Sequence, residues 1–324
     1  MSHNTGILVI IEAGESCLPP TAAELFGVAQ RINAETGDQV SALVIGIGAK
    51  TAAVESGRFG AKKAFSVELP EVSSDTVAAT IAQLTGDIKP RFILITENDL
   101  GRDVAPLLSA SLKSAAVTDA VAISFSNPEL IITRQVYGGN AMADFIIESE
   151  PQIITFRPKA FAPLVGIEDV QIEITGITPV TASSTRVIER VAGKETGVRL
   201  EDAKIVVGGG RGIGGPEGFN QLKELADLFG GSVGASRPPC DQGWWPENGQ
   251  IGITGKIIAP DLYLAVGISG SSQHLSGVSG SKTIIAVNKD AEANIFKAAA
   301  FGLIADWRKV IPACVAKLKE ISRQ

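Results

Sequence analysis

One stretch in the C-terminal half restricts the possible folds of this chain more than any other feature. Ile205–Val207 is an apolar run of strand length, the eight residues 208–215 include six glycines, and a helical pattern follows Pro216. A strand that passes through a glycine-rich turn into a helix brings main-chain N–H groups and the positive end of a helix dipole to one place. That place suits a diphosphate group.

Three later segments have the same form, because each is an apolar run that ends in small or polar residues: 232–237, 262–274 and 283–290. In an open parallel sheet, ligands bind outside the carboxyl ends of the strands. The repetition therefore predicts one crevice that takes one long ligand rather than several separate small sites.

The glycine motif does not identify the ligand by itself. Gly210, Gly212 and Gly215 fit the spacing G-x-G-x-x-G, but a run so rich in glycine produces such a match by chance. An NAD site also needs an acidic residue at the end of the next strand, where this chain has Ser236 and Arg237. An ordinary NAD site is therefore disfavoured. Two alternatives stay open: an NADP- or NAD-dependent oxidoreductase whose Arg237 serves a ribose phosphate, and a non-catalytic nucleotide-binding regulatory module.

Seven sequence blocks follow one another in the C-terminal half: GGGRG, GASRP, QIGITGK, APDLY, AVGISGSSQH, TIIAVNKD and AFGLIADW. This succession closely resembles the alpha subunit of electron transfer flavoproteins. The motifs at Gly101–Asp103, Tyr137–Asn140 and Phe156–Lys159 extend the resemblance over nearly the whole chain. The resemblance implies that the C-terminal domain carries FAD. The family's FAD contacts then fall on Arg211, Ser236, Arg237, Ile251, Gly252, Ile253, Thr254, Ser269, Gly270, Ser271, Ser272, Gln273, His274, Asn288, Asp306 and Trp307.

The resemblance also implies roles for these residues. Arg211 and the serine-rich segment 269–272 would hold the pyrophosphate. Three side chains would surround the redox-active ring, and two would bind the adenosine end. The ring residues are Arg237, Thr254 and His274, and the adenosine residues are Asn288 and Asp306.

From their own chemistry, several of these residues have a second interpretation. His274 is either a structural histidine or a donor to a flavin carbonyl, and Arg237 is either a solvated arginine or a cation that stabilises a negatively charged isoalloxazine ring. Asn288 and Asp306 either bind the ligand or cap helices. The chain departs from the family at Ile253, where many members have glutamine, and at Trp307, where leucine is usual. With Ile253 in place of glutamine, the chain lacks a side-chain amide that could form one hydrogen bond near the isoalloxazine ring.

The chain length of 324 residues predicts two domains. Continuous apolar runs such as Gly6–Ile11 and Val40–Ile45 alternate with helical patterns, which is typical of a parallel sheet with helices on both faces. Thr21 and Glu24 have the spacing of a capping box at the first helix. Four successive strands between residues 120 and 156 predict an antiparallel edge.

We therefore expect an α/β protein of two domains. Residues 1–194 form the N-terminal scaffold and partner-interface domain, a mainly parallel sheet with antiparallel additions. Residues 195–324 form a C-terminal Rossmann-like FAD-binding domain.

Composition narrows the possible partners. The net charge of −6 and pI near 5.2 argue against nucleic acid, because phosphate contacts depend on basic side chains. Cys17, Cys240 and Cys314 are too widely spaced to suggest a disulfide framework or a metal cluster. The N-terminus shows no signal sequence, and no apolar run reaches membrane-spanning length, so we expect a cytoplasmic protein without membrane insertion.

The functional prediction is an electron carrier without a general acid or base of its own. It would accept electrons from a dehydrogenase and pass them to a further redox acceptor, alone or as part of a bifurcating flavoenzyme. The resemblance implies a heterodimer in which a beta subunit completes the flavin site. The bound FAD would supply the redox chemistry, and the protein would supply orientation, electrostatics and a docking surface.

Overall fold

The fold is seen in a computed structural model, which describes residues 4–14, 16–126, 129–167, 171–181 and 198–321. Its contacts group the chain into two compact units: Met1–Gln135 with Met142–Arg190, and Val136–Ala141 with Val191–Gln324. Each unit is built on its own mainly parallel sheet with helices, which confirms the predicted α/β class. The predicted boundary at residues 194 and 195 lies outside the described residues and stays a prediction.

The described part of the N-terminal half contains a nine-stranded sheet in the order β7-β6-β5-β8-β4-β1-β2-β3-β9. The strands are β1 Ile7–Glu12, β2 Val40–Gly46, β3 Lys63–Glu68, β4 Phe92–Thr96, β5 Ala116–Ser126, β6 Glu129–Val136, β7 Ala141–Phe145, β8 Gln152–Phe156 and β9 Glu173–Gly176. Four α-helices accompany them: α1 Pro20–Thr36, α2 Ala49–Glu55, α3 Ser74–Ile88 and α4 Asp99–Leu112.

Strand β1 shows why its sequence is apolar without interruption. Ile7 and Val9 belong to one buried cluster with residues of α1 and α2, whereas Leu8 and Ile10 belong to another with residues of α3 and α4. Successive side chains of a strand point to opposite faces, so a strand covered by helices on both sides is apolar at every position.

One expectation for this half holds in part, and another is wrong. The antiparallel addition is confirmed where β5 pairs with β6, but β8 is parallel to both β4 and β5 and lies between them with all its residues buried. The capping box is absent, because Pro19 is the N-cap of α1 and makes no side-chain cap bond. The Glu24 carboxylate instead accepts a hydrogen bond from the Lys159 N–H at 2.5 Å.

The described part of the C-terminal half contains a five-stranded sheet in the order β11-β10-β12-β13-β14, and all its pairs are parallel. The strands are β10 Ile205–Gly209, β11 Ser232–Ala235, β12 Leu262–Val266, β13 Thr283–Asn288 and β14 Phe301–Ile304. The helices are α5 Pro216–Leu228, α6 Arg237–Asp241, α7 Ser272–Val278, α8 Ile295–Ala298 and α9 Trp307–Ile321. Within the described ranges, no helix combines the length and apolarity needed to span a membrane.

Candidate functional site

The order in which successive strands join the C-terminal sheet reverses between β10 and β12. The chain runs from β10 to β11 on one side, and then returns to place β12 on the other side of β10. Crevices of open α/β sheets form at such a switch point, outside the carboxyl ends of the strands. A cavity of about 600 Å³ opens there, lined by segments that follow β10, β11, β12 and β13. This volume lies within the range of roughly 300–1,000 Å³ that is usual for ligand pockets.

All but three of the predicted contact residues line this cavity. They are Arg211, Ser236, Arg237, Ile251, Gly252, Ile253, Thr254, Ser269, Gly270, Ser271, Gln273, His274 and Asn288. Five further residues line it without having been predicted: Gly212, Pro238, Gly267, Ile268 and Asp290. Each of these lies within two residues of a predicted one, so the strand-end pattern itself contained the signal that could have found them.

Ser272, Asp306 and Trp307 do not line the cavity. The Ser272 hydroxyl lies 3.3 Å from the Gln273 side-chain oxygen at the start of α7. The Asp306 carboxylate accepts the Arg308 N–H at the start of α9. The buried Trp307 donates its indole N–H to the carbonyl oxygen of Gly212 at 3.1 Å. Trp307 therefore supports the glycine turn from behind the cavity.

The glycine-rich turn is packed against the neighbouring loop. The Gly210 N–H donates to the Val266 carbonyl at 2.9 Å, and the Gly212 N–H donates to the Gly267 carbonyl at 3.0 Å. A Cβ atom at Gly210 would lie 2.2 Å from the Gly267 oxygen. These two N–H groups are used within the protein, so the turn does not offer them to a diphosphate as its sequence suggested.

The loop between β12 and α7 is different. In the part of the chain that the structure describes, the main-chain N–H groups of Ser269, Gly270, Ser271 and Ser272 have no hydrogen-bond acceptor. The first three of these residues line the cavity. Successive unpaired N–H groups in a loop are a common binding arrangement for phosphate oxygens.

Two guanidinium groups add positive charge to the same cavity. Arg211 is exposed, and no described side chain forms an ion pair with it. Arg237 begins α6 and forms an exposed ion pair with Asp241, with Nε 3.2 Å from the carboxylate. An exposed pair of this kind contributes little energy, about 0–1 kcal/mol, so Arg237 can be redirected towards a ligand at low cost.

Two other predicted residues have partners inside the protein. The Asn288 side chain donates to the Ile268 carbonyl at 2.9 Å and accepts from the Asp290 N–H at 3.0 Å, so its amide bridges two strand ends. The exposed Thr254 hydroxyl accepts a hydrogen bond from the Gln250 side chain at 3.0 Å. Its hydrogen is not used in that bond and remains available to a ligand.

His274 is buried, with 4% of its surface exposed. Its Nε2 lies 2.9 Å from the Tyr263 hydroxyl, and its Nδ1 lies 3.2 Å from the Ile251 carbonyl oxygen. Burial lowers the pKa of the imidazole to about 4, so the ring is neutral near pH 7. Both ring nitrogens have protein partners, which matches the structural interpretation of this histidine. Donation to a flavin carbonyl stays a prediction, and it requires that one of these contacts be exchanged.

Comparison with known proteins identifies the family. A family model described as the electron transfer flavoprotein domain matches residues 7–195, and one described as the electron transfer flavoprotein FAD-binding domain matches residues 199–279. The chain belongs to the electron transfer flavoprotein alpha-subunit family. The resemblance carried by the seven sequence blocks is therefore confirmed.

Several individual proteins are similar to this chain over most of its length. The alpha subunit of Thermoanaerobacterium thermosaccharolyticum is 36% identical, over 99% of this chain and 100% of the relative. The alpha subunit of Bacillus subtilis is 36% identical, over 89% of this chain and 90% of the relative. The LctC subunit of the lactate dehydrogenase (NAD(+),ferredoxin) of Acetobacterium woodii is 30% identical, over 97% of this chain and 77% of the relative.

Proposed function

We propose that the cavity at the β10–β12 switch point holds FAD, and that this chain is the FAD-carrying alpha subunit of a heterodimeric electron carrier. It takes electrons from a dehydrogenase and passes them to a further redox acceptor. The main support is that four separate strand-end segments, each within the resemblance, line one cavity. Neither the NAD(P) alternative nor the regulatory module is favoured, because residues 199–279 match an FAD-binding family model.

The pyrophosphate end of the proposed ligand has the best-supported contacts. The unpaired N–H groups of residues 269–271 and the guanidinium of Arg211 supply donors and positive charge to the same cavity. Hydrogen bonds from an arginine to a phosphate are charge-assisted and roughly twice as strong as neutral ones. For Ser272 the proposed contact is limited to its main-chain N–H, which follows the three cavity-lining N–H groups although the residue itself does not line the cavity.

Arg237, Thr254 and His274 are proposed to lie around the isoalloxazine ring. Arg237 places a cation where negative charge develops on the reduced ring, and the free hydrogen of Thr254 reaches the ligand. Ser236, Ile251, Gly252, Ile253 and Gln273 form the walls of the cavity. FAD, when bound, supplies the electron-carrying chemistry, and these residues bind and orient it.

The adenosine end involves Asn288, with Asp306 and Trp307 in support. Asn288 lines the cavity, although its amide already bridges Ile268 and Asp290. Trp307 acts on the ligand only indirectly, through the Gly212 carbonyl that it holds. Asp306 does not line this cavity, so the proposed contact between Asp306 and the adenosine requires that this part of the ligand extend beyond the cavity.

The proposed assembly is a heterodimer with a beta subunit that completes the flavin site. Residues 1–194 form its scaffold and partner-interface domain, and residues 195–324 form the FAD-binding domain. Relatives described as alpha subunits support the pairing. A cytoplasmic location is part of the same proposal.

The test is to produce the full chain together with its beta subunit and to measure visible absorbance, FAD content and reduction by an electron-donating dehydrogenase. We expect a yellow complex. Arg211→Ala should weaken FAD binding about 10- to 100-fold, as expected for the loss of a charged hydrogen bond worth about 1.5–3 kcal/mol.

Lys317→Ala is the matched control, because it also removes one positive charge but lies on α9 in an exposed pair with Glu320. We expect it to leave FAD affinity unchanged. A colourless complex that binds NADPH would contradict the proposed function.

A further inference from the structure

A buried tyrosine lies behind the candidate site. Tyr263, the second residue of β12, has no exposed surface, and its hydroxyl lies 2.9 Å from Nε2 of His274. The neighbouring strand β10 has a glycine, Gly208, where the tyrosine hydroxyl lies. A Cβ atom at Gly208 would lie only 2.0 Å from the hydroxyl oxygen, so a larger residue there would displace the tyrosine. This glycine is therefore explained by a side chain of the protein rather than by a ligand.

The contact at Nδ1 of His274 determines which atom donates in each of the two hydrogen bonds of the ring. Nδ1 lies 3.2 Å from the Ile251 carbonyl oxygen, which can only accept, so Nδ1 must carry the hydrogen. The ring is neutral, because burial lowers its pKa to about 4. Nε2 therefore has no hydrogen and accepts one from the Tyr263 hydroxyl. Burial also raises the pKa of Tyr263 far above its usual value, so this hydroxyl keeps its hydrogen.

The hydrogen bond from His274 belongs to a larger attachment between α7 and the segment 251–258. The Ile253 N–H donates to the Gln273 carbonyl at 3.0 Å, and the Ile258 N–H donates to the Gly277 carbonyl at 2.8 Å. A Cβ atom at Gly277 would lie 2.5 Å from the Cα atom of Gly252. The attached segment includes the cavity wall from Ile251 to Thr254.

We propose that Tyr263 is a positioning residue for the flavin site: its hydroxyl donates to Nε2 of His274 and holds the imidazole against the Ile251 carbonyl, and His274 in turn holds the Ile251–Thr254 wall of the cavity. Tyr263 does not line the cavity and acts only through His274. The inference deepens the proposed function and rests on it for the presence of FAD. The tautomer and the wall contact can be tested without FAD.

The first measurement is the tautomer in the unmodified protein. The chain has only two histidines, His3 and His274, so ¹⁵N-histidine labelling of the full chain, paired with an unlabelled beta subunit, gives two sets of ring signals. His3→Gln identifies the His274 signals. We expect hydrogen on Nδ1 only, without titration between pH 8 and pH 6. A wild-type His274 with hydrogen on Nε2 would overturn the proposal whatever any variant does.

The second measurement compares two tyrosine variants. Tyr263→Phe keeps the ring and removes the hydroxyl, so we expect a changed ¹⁵N shift of His274 Nε2, which loses its donor, and FAD affinity lower on the order of 10-fold, the effect of losing one buried hydrogen bond. Tyr137→Phe is the matched control, because Tyr137 is the only other tyrosine and is 84% exposed. We expect it to change neither quantity.

The results separate the two proposals. A Tyr263→Phe complex with an unchanged Nε2 shift and unchanged FAD affinity would overturn the positioning role. A wild-type complex that holds no FAD but shows the Nδ1–H tautomer would overturn the proposed function, while the link from Tyr263 to His274 would stand. If Tyr263→Phe does not fold, the wild-type tautomer still decides whether the tyrosine acts as donor.

Discussion

At the scale of single residues, hydrogen bonds within the protein determine which groups are left for a ligand. His274 and Asn288 line the cavity, yet each uses both polar atoms of its side chain on protein partners. Arg211 has no ion-pair partner among the described residues, and Arg237 has one exposed partner. The side-chain contribution most readily available to a ligand is therefore positive charge, which suits the diphosphate of a dinucleotide.

The neutral, buried His274 should make the stability of the protein depend on pH. Its pKa is lowered from 6.5 to about 4 by burial, so the unfolded chain takes up the proton first as the pH falls. The free energy of unfolding should be unaffected above pH 6.5 and should fall between pH 6.5 and pH 4, by about 3 kcal/mol in total.

His274→Gln should remove this contribution. In urea unfolding at pH 7.5 and pH 5, we expect the wild type to lose about 2 kcal/mol more than the variant between the two pH values. His3→Gln controls for the loss of a histidine and should keep the wild-type difference. Equal pH dependence in the wild type and His274→Gln would show that His274 is not neutral and buried in the folded protein.

At the scale of secondary-structure elements, the site depends on close approach of main chains. The turn after β10 contacts the loop after β12: a Cβ atom at Gly210 would lie 2.2 Å from the Gly267 carbonyl oxygen, and one at Gly267 would lie 2.9 Å from the Gly212 carbonyl carbon. Both segments contribute residues to the cavity. The glycines in this turn are therefore required for packing two loops together, and through that packing they shape the ligand site.

Two glycine substitutions should have opposite effects on stability. Gly210→Ala places a Cβ atom 2.2 Å from the Gly267 oxygen, and we expect it to destabilise the protein by about 1–3 kcal/mol and to reduce FAD content. Gly86→Ala lies in α3, is exposed and meets nothing within 4 Å, so we expect about 0.5–1 kcal/mol of added stability.

The measurements are the denaturant midpoint and the FAD content of the wild type and of each alanine variant. A Gly210→Ala protein with the wild-type midpoint and full FAD content would show that the two loops can separate without cost.

At the scale of the whole molecule, the two halves have separate hydrophobic cores. Two buried clusters in the N-terminal half flank β1, with side chains such as Val9 and Leu8, and two in the C-terminal half flank β10, with side chains such as Val206 and Val207. All the residues that line the proposed FAD cavity belong to the C-terminal half. The binding energy of FAD should therefore stabilise that half first.

Hydrogen exchange of the full chain, paired with its beta subunit, tests this expectation. FAD at 100 times its dissociation constant should add about 2.7 kcal/mol to the opening free energy of β10 and β12. Peptides from β1 and β2 should exchange at the same rate with and without FAD. Equal protection of all four strands would mean that the halves open as a single cooperative unit.

The sequence alone was sufficient for the fold class, the family and most of the cavity. Apolar runs such as Ile205–Val207 and the residues that end each strand are local features that determine where strands stop, and the carboxyl ends of parallel strands lie at the same edge of a sheet. Nearly all the predicted contacts therefore lie on one cavity.

Other properties depended on tertiary structure, because they involve partners distant along the chain. Trp307 contacts Gly212 across 95 positions, and β8 pairs in parallel with both β4 and β5, which precede it in the chain. The pairing of Tyr263 with His274 spans only 11 positions, but it needs the strand register that places Val206 opposite Tyr263 and lets the tyrosine side chain reach Gly208. Strand order and register decide which polar groups are satisfied within the protein, and hence which remain for FAD.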